Sequence, residues 1–227
     1  MEDFEREVKA AKAQQAKQLE RNGGIRSDPA SVDRIIDATK KLEEASTGDE
    51  AKAAKVMRLF MEDLSKDMAV LGAAQEALIK STDYSSAKTP QDIDNLSKKA
   101  RAYQKKNADV TAKIKSGWIQ KIRENLEKEG VNEQFINNFI VGVKRGLNQK
   151  NSTLLIIRQT DDEICVAVLE QHAILKKYLN KWQWNATSET PDFEDDTALE
   201  LYNAQAAKIQ EISARQLEAQ KKLLNVK

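Results

Sequence analysis

The chain has 227 residues, 32% of them charged and 40% hydrophobic, with 37 Lys and Arg against 36 Asp and Glu. A net charge of +1 gives no global field to draw in nucleic acid or an anionic membrane. One cysteine excludes an internal disulfide and a cysteine-built metal site, and three prolines with eight glycines are too few turn residues for an all-β fold.

No run of 18 apolar residues is present, so no transmembrane segment is expected. The start, Met1-Glu2-Asp3-Phe4, is charged and does not read as a signal peptide. A soluble protein is expected, cytoplasmic or, if a signal has been removed, periplasmic. No low-complexity linker or repeat interrupts the chain, which predicts a single domain over 1–227.

Residues 2–21 predict a polar helix with a thin apolar stripe (Phe4, Val8, Ala11, Leu19), ended by Gly23-Gly24. The segment 1–24 is expected to be loosely attached. Each proline follows a residue suited to capping a helix: Asp28-Pro29, Thr89-Pro90 and Thr190-Pro191. Proline is tolerated at the first helical position, and Asp or Thr before it accepts bonds from the free amides. Helix starts are therefore predicted at 29, 90 and 191. Thr47-Gly48-Asp49-Glu50 fits a capping box. Gly130-Val131-Asn132 reads as a stop followed by a start, with Val131 and Ile136 as a hydrophobic staple.

The predicted helices are 29–45, 48–81, 90–128, 132–147, 152–183 and 191–225. At 1.5 Å per residue the four long ones span roughly 45–60 Å each. The expected fold is all-α: an elongated antiparallel bundle of four long helices with shorter N-terminal and cross-over helices.

Apolar residues in 90–128 recur at alternating spacings of 3 and 4 through Ile93, Leu96, Ala100, Tyr103, Val110 and Ile114, a coiled-coil-like seam. The seam shifts to Trp118, Ile122 and Leu126, which predicts a stutter. Asn107 interrupts this seam, and Asp161 interrupts a similar one through Leu154, Ile157, Ile164, Val168 and Leu175. A polar residue at such a position sets register. The alternative is a polar lining for an internal ligand, which makes Asn107 and Asp161 the candidate ligand-binding residues.

On a helical wheel, Phe135, Ile136, Phe139, Ile140, Val143 and Leu147 fall on one arc of roughly 160°. Gly142 and Gly146 sit at one side of that arc, and Val141 lies on the polar side. Two readings compete: a short helix closing the bundle, or a docking face with Phe135, Phe139 and Val141 as partner-binding residues. Trp182 and Trp184 are placed at the end of helix 152–183. There they either cap the core or, exposed, form a second contact surface, since Trp is favoured at such surfaces.

His172 is the only histidine, and one histidine cannot build a ferritin-like di-iron site. No Ser or Cys stands near it in sequence at a spacing that suggests a nucleophile. Cys165, between Ile164 and Val166, reads as a buried structural thiol. Residues 93–128 hold ten bases against four acids, whereas 189–200 hold six acids and no base. The basic stretch is spread around its helix and reads as a solvated face, so no nucleic acid is expected.

No phosphate loop, metal-ligand spacing or nucleophile elbow occurs. The expectation is therefore a non-catalytic bundle with no cofactor and no metal, acting on a protein partner, a second copy of itself included. The alternative is a sensor or carrier of a small apolar ligand.

Overall fold

The computed structural model describes residues 6–7, 9–10, 12–17, 29–115 and 117–224. The fold is all-α, with one two-stranded sheet among the described residues. The described residues between 6 and 17 are helical. The stripe residues Phe4, Val8, Ala11 and Leu19, the Gly23-Gly24 stop and Asp28 lie outside the described residues. Six α-helices follow among the described residues: α1 (Pro29–Ala45), α2 (Gly48–Lys80), α3 (Pro90–Lys115), α4 (Trp118–Lys128), α5 (Glu133–Lys177) and α6 (Asp196–Leu224). A 3-10 turn (Leu179–Lys181) and strands β1 (Trp182–Asn185) and β2 (Thr190–Phe193) lie between α5 and α6.

Several sequence-predicted boundaries hold for the expected reasons. Thr89 Oγ1 accepts from the Asp92 amide at 3.2 Å, and Asp92 Oδ2 accepts from the Thr89 amide at 2.8 Å, so the start of α3 is reciprocally capped. At the end of α4, Gly130 adopts φ +67. Its amide donates to Glu127 O at 3.0 Å and that of Val131 to Leu126 O at 3.1 Å, the two bonds of a Schellman stop. Asn132 Oδ1 then accepts from the Gln134 amide at 2.9 Å and caps α5.

Three boundaries differ. The helix predicted over 90–128 is broken: Gly117 takes φ 89, ψ 82 and separates α3 from α4. The 4-residue spacing of Trp118, Ile122 and Leu126 reflects this phase reset, not a stutter in a continuous helix. Residues 132–147 and 152–183 are not separate helices. The polar stretch between them holds neither glycine nor proline, and α5 runs through it for 45 residues. Finally, Thr190-Pro191 starts no helix. Pro191 sits in β2, and α6 is capped by Asp195, whose Oδ1 accepts from the Ala198 amide at 3.0 Å.

The chain forms two compact units. One takes the described residues of Met1–Val70, Val110–Leu155 and Ala219–Lys227. Its core joins Ala53 and Val56 of α2, Ile122 and Leu126 of α4, and Val131, Ile136 and Ile140 around the start of α5. Full burial of one such aliphatic side chain contributes about 2 kcal/mol. Arg58 links α1 to α2 through Glu43 at 2.7 Å.

The other unit takes Leu71–Asp109 and Ile156–Glu218. Its core holds Ile93, Ala100 and Tyr103 of α3 with Ile157, Val168 and Leu175 of α5. Six of the twelve aromatic residues of the chain (five Phe, three Trp, four Tyr) gather at the hairpin: Tyr84, Tyr178, Trp182, Trp184, Phe193 and Tyr202. The core of this unit is therefore partly aromatic, in contrast to the aliphatic core of the first.

Candidate functional site

The first turns of α5 present the sequence-predicted docking face. Ile136 and Ile140 are buried in the core of the first unit, whereas Phe135, Phe139 and Val143 are half-buried against it. The rings of Phe135 and Phe139 stack with centroids 6.1 Å apart and planes 16° from parallel. Gly142 lies one turn further along the same side. A Cβ at Gly142 would meet nothing within 4 Å. Val141 is 57% exposed. On an ideal wheel it points away from the phenylalanine stripe. The side chains of 146–150, including that of Leu147, lie outside the described residues, as does any Cβ space at Gly146.

Trp182 and Trp184 are not at a helix end. They alternate on β1, which pairs with β2 in antiparallel register, Trp182 opposite Phe193 and Trp184 opposite Pro191. Successive residues of a strand point to opposite faces, so both tryptophans face inward while Gln183 faces out. Trp182 is buried, and its indole N–H donates to Leu175 O at 3.0 Å. Trp184 is half-buried and meets Tyr84 edge-on at 6.2 Å. The alternation in Trp-Gln-Trp-Asn was a legible strand signal. Pro191, a residue equally suited to a first helical position, masks that signal.

Asn107 and Asp161 are both buried. Asn107 Nδ2 donates to Arg158 O at 2.7 Å. Asp161 Oδ1 accepts from Gln216 Nε2 at 2.7 Å, and Oδ2 lies 3.0 Å from the Arg158 guanidinium. Burial raises the affinity of Asp161 for a proton, and Arg158, Gln216 and Tyr103 oppose that shift. The next two acids turn elsewhere. Asp162 accepts from Gln104 at 2.9 Å, and Glu163 pairs with Arg215. The three consecutive carboxylates therefore serve three separate partners. Cys165 is fully buried near Ala100 O, and burial pushes its thiol up to about 12.

His172 has neighbours that sequence spacing did not foretell. Ser97, 75 residues earlier, places Oγ 3.1 Å from Nδ1, and Nε2 lies 3.0 Å from Ser81 O. A carbonyl only accepts, so Nε2 carries a proton and donates to it. Ser97 Oγ also lies 3.0 Å from Ile93 O, one turn back in α3. With one hydroxyl proton, Ser97 donates either to that carbonyl or to Nδ1. Tyr84 meets the imidazole edge-on at 5.7 Å. The ring is 1% exposed, and this burial lowers its proton affinity.

Among the described residues, a cleft opens on the surface of each unit. One, of about 360 Å³ in the first unit, has Phe60 and Trp118 in edge-to-face contact at 5.6 Å. Its rim is paired, Lys113 with Asp67 and Lys121 with Asp63. The other, of about 400 Å³ in the second unit, lies between α3 and α5 above His172. Asn107 and Asp161 line neither. Among the described residues no helix is long and apolar enough to cross a membrane. No family model, no curated protein and no solved structure matches the chain.

Proposed function

We propose that the chain is a non-catalytic interaction protein whose first unit docks an α-helix of a partner chain on α5, along Phe135, Phe139 and Gly142. The observation that carries this is Gly142. A glycine inside an exposed helix costs about 1 kcal/mol relative to alanine. Its φ is not positive, and none of its surroundings approaches within 4 Å of a Cβ built there. Neither backbone conformation nor packing among the described residues calls for glycine at this position. A second helix approaching the α5 backbone does call for it.

The stacked phenylalanines one turn away supply a stiff apolar ridge of the kind that dominates contact energies. The ridge and the notch beside it fit the way helices interlock. The Ser97–His172 pair is assigned a structural role, because Ser97 is mid-helix and shares its hydroxyl with the Ile93 carbonyl.

Gly142→Arg fills the notch on an exposed face and replaces a poor helix former, so helicity should be kept and the melting temperature should not fall, while capture of the partner helix is lost. Phe139→Glu should weaken capture as well. Capture that survives both substitutions would show the docking face to be wrong.

A further inference from the structure

The cleft of the second unit carries a charge pattern that its own ion pairs do not cancel. Its walls present three basic side chains, Lys98, Arg101 and Lys176, and one acid, Asp94. Asp94 is already committed: both of its oxygens hold the Lys176 ammonium, at 2.7 and 2.9 Å. Lys98 and Arg101 enter no ion pair among the described residues. They lie one helical turn apart on the same side of α3. Of the ten bases of 93–128, Lys113, Lys121 and Arg123 meet acids of the first unit, and Lys98 and Arg101 are the two that line this concavity.

A cleft concentrates such a potential more than a convex face does. Its volume of about 400 Å³ is that of a small-molecule site. The floor is stiff, because His172 is tied to Ser81 on one side and to Ser97 on the other. An arginine fork beside a lysine suits a group with several equivalent oxygens, since the guanidinium donates to two at once.

We propose that this cleft binds a small, multiply charged oxyanion free in solution, held by Arg101 and Lys98. Lys176, pinned by Asp94, sets the far wall. The proposal is independent of helix docking on α5, and neither Lys98 nor Arg101 belongs to that face.

Isothermal titration of the full chain with inorganic pyrophosphate at low salt tests it. One saturable site is expected. Arg101→Gln and Lys98→Gln should each weaken binding by about tenfold. Both side chains are exposed, so circular dichroism should show an unchanged fold. Lys121→Gln, a matched charge loss in the other cleft, should leave the affinity as it was. The absence of saturable heat would overturn the proposal. So would an equal loss in Lys121→Gln, which would reduce the effect to overall charge. Displacement of pyrophosphate by a single-stranded oligonucleotide at lower concentration would also overturn it, in favour of a nucleic-acid surface.

Discussion

Burial is the leading influence on the proton affinities of His172 and Asp161, in opposite directions. His172 is the only histidine, so the imidazole C–H resonances of the chain all report on it. Desolvation holds its proton affinity below the ordinary value near 6.5, although the bond to Ser81 works in the opposite direction. The unfolded chain therefore takes up a proton that the folded chain refuses. The stability this group provides is complete above about pH 6.5 and is lost as the pH falls from there toward the folded value. Proton NMR of the folded chain should find the midpoint below 6.5, and a midpoint at or above it would contradict the buried ring. Asp161 shows the reverse shift. Its raised proton affinity means that ionising it in the folded state carries a cost, which rises in effect as the pH climbs above the ordinary carboxylate range. Arg158 offsets that cost at 3.0 Å. Asp161→Ala leaves the guanidinium, Gln216 and Tyr103 without their acceptor and should destabilise the chain by about 3 kcal/mol in denaturant melts. Replacing the pair together, as Arg158→Met with Asp161→Leu, should cost far less, because no charge is left buried.

Elements are governed by where glycine is needed and where it is not. Gly117, at φ 89, holds the left-handed turn between α3 and α4, and a Cβ there meets only Gln120 at 3.8 Å. Gly117→Ala should therefore cost about 1–2 kcal/mol through the backbone alone. Gly142→Ala should raise stability by about 1 kcal/mol, since that glycine sits in a helix with open space beside it. Thermal melts of the two variants, shifting in opposite directions, test both assignments. What the sequence revealed follows the same division. Local chemistry was legible: the Thr89 cap, the Gly130 stop, the Asn132 cap and the seam from Ile93 to Ile114, most of which is buried. Events decided by tertiary context were not. The break at Gly117 looks like any single glycine in a helical run. The strand at Trp182 hid behind a proline, and Ser97 met His172 across 75 residues of chain. Of the candidate site residues, Phe135 and Phe139 lie side by side, whereas Trp182 is a core residue bonded to Leu175 O.

At the scale of the whole molecule, each unit has its own core and its own surface feature. The first has the aliphatic core beneath the phenylalanine ridge, and the second has an aromatic core beside a basic cleft. On the proposed function, the open notch at Gly142 is a place kept for another helix. The most direct measurement is photo-crosslinking in cells from a benzophenone side chain at Asn138, one turn before the notch on an exposed face. One dominant adduct is expected, whether to a different protein or to a second copy of this chain, and it should disappear when Gly142→Arg is added. An absence of any discrete adduct, or an adduct that persists with the arginine in place, would contradict it.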